Sequence, residues 1–185
     1  MIPTKAKSHR RLGEYLAAYY LPDAPRRYIQ AFLLGCTEPD KNPSTYLKGS
    51  IRSQWMRGHN WGNAQRYMTR IANRLEKRNK LLLADYYTMG KLIHYTVDAF
   101  TYAHNEEFSG ALPAHRSYEK ELQAFFLSYL KHRRCLNPAV GGSVMEAIRV
   151  YHQEYANRPS DIHRDSRYCV LVSSVVVSML LAKSA

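Results

Sequence analysis

Five side chains able to ligate a metal ion fall within residues 90–119: His94, Asp98, His104, His115 and Glu119. His94 and Asp98 are four apart, as are His115 and Glu119. At roughly 100° per residue, each pair lies within about 40° on one helix face. Two side chains so placed can grip one cation. Between the pairs Gly110 and Pro113 interrupt the helical pattern, so the second pair belongs to a new helix that turns back toward the first. His104, six residues beyond Asp98, closes the first helix rotated away from that carboxylate and is aimed at a different cation. The pattern predicts more than one metal. Imidazole and carboxylate ligands without thiolates suit zinc or another first-row divalent ion, and a mixed shell with open positions is catalytic rather than structural in kind.

A single His-x3-Asp pair is ordinary, and as a rule it is a surface pair or a hydrogen-bonded core pair. The neighbours Leu92, Ile93, Val97 and Phe100 mark a helix buried around much of its circumference. An unpaired Asp or His is costly there, and a metal cluster supplies the missing partners.

The elements that must position these residues read as helices throughout. Ser8 caps a first helix over 8–20, whose stripe is Leu12, Tyr15, Leu16 and Tyr19 and whose first turn holds His9. Pro22 and Pro25 make a turn before a second helix over 26–34 that ends near Gly35. A loop follows in which Pro39 and Pro43 fix an extended backbone around Asp40, as a ligand or base or as a solvent-facing turn residue. Gly58, His59, Asn60 and Trp61 open a third helix running to about residue 78, whose exposed face carries Arg66, Arg70, Arg74, Lys77 and Arg78. Helices over about 81–104, 114–131, 144–155 and 160–182 complete the chain, although the valines after Cys169 also suit a strand. No alternating strand pattern runs through the sequence, so an all-α, single multi-helical domain over 1–185 is predicted. His132, His152 and His163 have no spaced partner and read as surface or core histidines.

Cys36, Cys135 and Cys169 are odd in number, widely spaced and set among apolar residues, so they read as reduced core thiols. The basic N-terminal stretch has no apolar run behind it and so shows no signal peptide. The run from Cys169 to Ala182 is interrupted by serines and too short to span a bilayer. A cytoplasmic location, peripheral at a membrane, is expected. The net charge of +12 draws polyanions, whether nucleic acid, an anionic membrane surface or phosphorylated small molecules; the plainer reading is a solvated surface. No P-loop, Gly-rich dinucleotide motif or Ser or Cys nucleophile with an adjacent base is evident.

With His9, Asp40 and His59 added, the series becomes His9, Asp40, His59, His94-x3-Asp98-x5-His104 and His115-x3-Glu119. It resembles the bacterial zinc-dependent phospholipase C family, within the superfamily that includes the S1/P1 nucleases. The likeness covers residues 1–119, and the G-C-T-E-P-D and G-H-N-W contexts fit it. Glu119 is similar to the phospholipases rather than to the nucleases, which use Asp there. The resemblance implies an all-helical fold holding two or three zinc ions. Asp40, His59, His94 and Asp98 would hold one; His104, His115 and Glu119 a second. Asp98 would bridge to a third ion shared with His9. In the family an N-terminal tryptophan completes that third site; this chain has none, so either the amine of Met1 replaces it or residues 1–7 form a disordered basic tail that leaves His9 idle.

The activity implied is hydrolysis of a phosphodiester, phospholipase C-like, by water activated among the metals, with Asp40 as both ligand and general base. In the choline-preferring members an aromatic residue follows the metal-binding Asp. Lys41 stands at that position here, which opposes a choline cation and favours an anionic ester with Lys41 as a phosphate contact. Trp55 and Trp61 flank His59 and could stack on an organic group, with core packing as the other role for at least one of them. Two further readings stand beside this one. A nuclease acting on single-stranded nucleic acid is favoured by the charge and disfavoured by Glu119 and the short His104-to-His115 spacing. A non-catalytic basic protein would keep the metals as staples.

Overall fold

A computed structural model describes residues 4–47, 58–105, 112–131 and 141–183. Among them there are seven α-helices and no strand, as the periodicity predicts: α1 (Thr4–Tyr20), α2 (Arg26–Lys41), α3 (Trp61–Glu76), α4 (Leu83–Ala99), α5 (Leu112–Lys131), α6 (Val144–Ala156) and α7 (Ile162–Ala182). Two 3-10 turns, Pro43–Leu47 and Tyr102–His104, follow α2 and α4.

Helix α4 is the centre. Residues 92–99 are all buried, so no face of that stretch meets water. Its start is fixed by Asp85, which accepts from the Leu82 backbone N–H at 3.0 Å and pairs with Arg74 and Arg78 at 3.6 and 3.4 Å. Arg74 of α3, and Arg78 two residues past its end at Glu76, thus tie this segment to α4 rather than facing a partner.

Helix α2 crosses α4 where two glycines meet. A Cβ on Gly35 would stand 2.1 Å from the Tyr87 carbonyl oxygen, and one on Gly90 2.1 Å from that of Phe32. Because only hydrogen fits there, Gly35 lies inside the helix instead of ending it. Asp40 accordingly sits in the last turn of α2 and not on the extended loop expected from its flanking prolines. Pro39 lacks the N–H that would meet the carbonyl of Gly35, a loss the packing of the buried ring outweighs.

Helix α4 also stops earlier than its pattern suggests. It ends at Ala99, and His104 belongs to the short 3-10 turn beyond. Pro113 lies in the first turn of α5, where its missing N–H has no intrahelical partner to lose. Helix α6 begins with a capping box between Ser143 and Glu146, and α7 with Asp161 accepting from the N–H groups of His163 and Arg164 at 2.8 Å.

The valine-rich segment is helical. At 21 residues α7 is long and apolar enough to cross a bilayer by length and composition, yet it packs against α1, α4, α5 and α6 as a core helix. Cys36 and Cys169 are buried free thiols, as expected. Cys135, His132, Gly110, Trp55 and Met1 lie outside the described residues.

Candidate metal centre

Six elements deliver the eight anticipated side chains to one place. His9 comes from α1, Asp40 from the end of α2, and His59 from the turn before α3. His94 and Asp98 face one way on α4, His104 closes the 3-10 turn, and His115 and Glu119 share a face of α5.

Asp98 is the hub. Its Oδ2 lies 2.9 Å from His59 Nδ1 and 3.2 Å from His94 Nε2, while its Oδ1 lies 3.4 Å from His9 Nε2 and 3.8 Å from His104 Nε2. His94 Nε2 and His59 Nδ1 are themselves 3.2 Å apart. Asp40 Oδ1 closes this group at 3.8 Å from His94 Nε2 and 4.0 Å from His59 Nδ1. Beside it, Glu119 Oε1 is 3.1 Å from His104 Nε2 and 2.9 Å from His115 Nε2.

The outer faces of the two central rings assign their tautomers. His94 Nδ1 lies 3.0 Å from the Cys36 carbonyl, which only accepts, so Nδ1 carries a proton. His59 Nε2 lies 3.0 Å from Thr45 Oγ1, which is also 2.6 and 2.7 Å from the carbonyls of Pro39 and Asn42. The one hydroxyl proton of Thr45 goes to a carbonyl, so the oxygen accepts from His59 Nε2–H. The inward nitrogens, His59 Nδ1 and His94 Nε2, therefore turn lone pairs toward each other and toward Asp98 Oδ2.

Three lone-pair donors at 2.9–3.2 Å repel unless positive charge lies among them. Without metal a proton plays that part. Burial pushes the His94 pKa down, but the carboxylates of Asp98 and Asp40 more than reverse it, to about 9. Burial likewise pushes Asp98 up, and His94, His104, His59 and His9 together hold its carboxyl well below the usual range. Burial dominates at His59 and lowers its pKa against the pull of Asp98.

A tetrahedral zinc shell with bonds of about 2.0–2.1 Å sets neighbouring ligand atoms roughly 3.3–3.4 Å apart. The triangle of His59, His94 and Asp98 atoms has edges close to that, with Asp40 Oδ1 toward the fourth corner. Asp40 Oδ2 is buried with no hydrogen-bond partner among the described residues, and His9 Nε2 is 3.9 Å from it. These residues fit zinc in donor type, spacing and unmet polarity.

The outlying residues fare differently. Lys41 ends α2 and is exposed beside Asp40. Trp61 stacks on His152, centroids 4.0 Å apart and planes at 16°, and packs against the core; His152 in turn bonds Asn105 at 2.9 Å. One indole face is thus taken up by packing rather than offered to a substrate. His152, without a spaced partner in the sequence, is a satisfied core histidine. Thr45 and the Cys36 carbonyl escape sequence reasoning, because nothing in their spacing points to His59 or His94.

A small cleft of about 40 Å³ opens beside the cluster, lined by His9, Asp98, His104 and Glu119 together with the apolar Val97, Leu122, Phe126 and Cys169. A family model described as zinc dependent phospholipase C matches residues 8–162, reaching well past Glu119, where the motif resemblance ends. No curated protein and no solved structure matches the chain.

Proposed function

Since the chain belongs to the zinc-dependent phospholipase C family, and is in that sense a phospholipase C-like hydrolase, we propose that it cleaves an anionic phosphodiester at a centre of two zinc ions with a place for a third. The observation that carries this is the convergence of His59 Nδ1, His94 Nε2 and Asp98 Oδ2, all lone-pair donors, at 2.9–3.2 Å. Asp40, His59, His94 and Asp98 hold the first ion, and His104, His115 and Glu119 the second. His9 Nε2 and Asp98 Oδ1, 3.4 Å apart, outline the third. The residue expected to complete it, Met1, lies outside the described residues.

Bound zinc supplies positive charge for the phosphoryl oxygens and acidifies water. Asp40 Oδ2, buried and with no hydrogen-bond partner among the described residues, would receive the proton of the attacking water. Lys41, exposed at the end of α2, meets an anionic group of the substrate. The Cys36 carbonyl and Thr45 Oγ1 keep His94 and His59 oriented with their lone-pair nitrogens inward.

The cleft favours a lipid over a nucleotide. Val97, Leu122, Phe126 and Cys169 line it together with Asp98 and Glu119, so the group beside the phosphoryl centre meets apolar side chains. A peripheral position at an anionic bilayer accords with the +12 charge. The experiment is a panel of phosphatidylglycerol, phosphatidylcholine, single-stranded DNA and bis-p-nitrophenyl phosphate. Phosphatidylglycerol should be cleaved faster than phosphatidylcholine, with a rate that declines as salt rises. A choline preference would remove Lys41 from the account, and DNA as the best substrate would replace the lipid reading with the nuclease one.

A further inference from the structure

Asp165 lies in the first turn of α7, beyond the residues matched by the family model, and its side chain is sealed from solvent. A buried carboxylate is costly unless donors surround it. This one has four. Its Oδ1 accepts from the hydroxyls of Tyr155, at 2.6 Å, and Ser160. Its Oδ2 accepts from the backbone N–H of Tyr102 at 2.8 Å and from the hydroxyl of Tyr118 at 2.7 Å. Burial raises the pKa of both tyrosines, so their hydroxyls stay protonated and donate.

The two Oδ1 donors belong to the α6–α7 junction, which is scaffold. The two Oδ2 donors carry the second cation site. Tyr102 begins the three-residue turn that ends at His104, and Tyr118 immediately precedes Glu119, three residues after His115. A 3-10 turn this short is weakly self-supporting and needs an outside anchor to hold a ligand. One oxygen atom thus references both ligand-bearing segments to the same point on α7, whose own start is capped by Asp161.

We propose that Asp165 is the positioning residue of the His104–His115–Glu119 site: it sets the distance between the turn and α5, and so the affinity for the second zinc, without touching the metal. The proposal rests on the two-ion reading above. It differs from a merely structural role, in which weakening the anchor would loosen both metal shells together.

The test compares Tyr118→Phe with Ser160→Ala, each of which removes one hydroxyl from Asp165 and leaves the carboxylate in place. Zinc affinities are read by competition with a chelator. Tyr118→Phe should weaken the second equivalent by about 10–100-fold and leave the first unchanged, while Ser160→Ala changes neither. In metal-free protein, the NOE between the rings of His104 and His115, whose centroids are 5.1 Å apart, should fall in Tyr118→Phe and persist in Ser160→Ala. Equal weakening of both equivalents, equal effects of the two variants, or an unchanged second site with an intact NOE would overturn the proposal. Wild-type protein that binds no zinc would overturn the two-ion reading instead, and the metal-free NOE would still decide the role of Asp165.

Discussion

Asp98 Oδ2 lies 2.9 Å from His59 Nδ1, a nitrogen whose proton has been drawn to the opposite side of the ring by Thr45. Two acceptors at hydrogen-bonding distance are favourable only with a cation or a borrowed proton between them. Replacing Asp98 with Asn should therefore lower zinc content and hydrolysis together, by more than the 10–100-fold that loss of an outer partner costs. Replacing Arg70, exposed on α3, should change neither. Equal losses from both changes would reveal a general folding defect.

Thr45 predicts a finer effect. Thr45→Val keeps the shape but leaves His59 Nε2 without its acceptor, so the ring can move its proton to the inward nitrogen. Zinc affinity at the first site should fall about tenfold or more, while Thr45→Ser should retain it. Circular dichroism on both variants separates this from unfolding.

The proton on His94 makes metal binding depend on pH. Its pKa in the folded, metal-free protein is raised to about 9, so zinc must displace that proton throughout the neutral range. Zinc affinity should rise with pH up to about 9. The same shift acts on stability. A raised folded-state pKa contributes stability below the unfolded value near 6.5, and that contribution is lost as pH climbs through about 9. The Tm of metal-free protein should fall between pH 7 and pH 9.5, whereas zinc-loaded protein, with no proton on His94, should not show this fall.

The crossing of α2 and α4 sets where Asp40 stands. Gly90→Ala would drive a methyl group against the Phe32 carbonyl, which is backbone and cannot swing aside. A loss of about 2–3 kcal/mol is expected, with a fall in Tm on the order of 5–10 °C. Because α2 must lift away, zinc affinity should drop as well. Unchanged zinc affinity in a destabilised Gly90→Ala protein would uncouple the crossing from the site.

These residues also mark how far the sequence could be read. His94–Asp98 and His115–Glu119 were legible because helical spacing converts directly into a shared face. The all-α class followed from the same periodicity. The place of Asp40 was not legible: Gly35 and Pro39 are breakers by local propensity, yet both lie inside the helix, Gly35 in tight contact with Gly90 and Pro39 with its ring buried. Nor was the end of α4, where Phe100 to His104 keeps a helical composition but tightens into a 3-10 turn whose first N–H is claimed by Asp165. Thr45 and Asp165 act across 14 and 47–63 residues of chain, separations that leave no local pattern. Trp61 lay near His59 in sequence, but its ring packs on His152.

The central claim is that this cluster is built for zinc, and the most direct measurement is the elemental zinc content of purified, undialysed, untagged protein. The account predicts at least two equivalents per chain; less than one equivalent in correctly folded protein would contradict it.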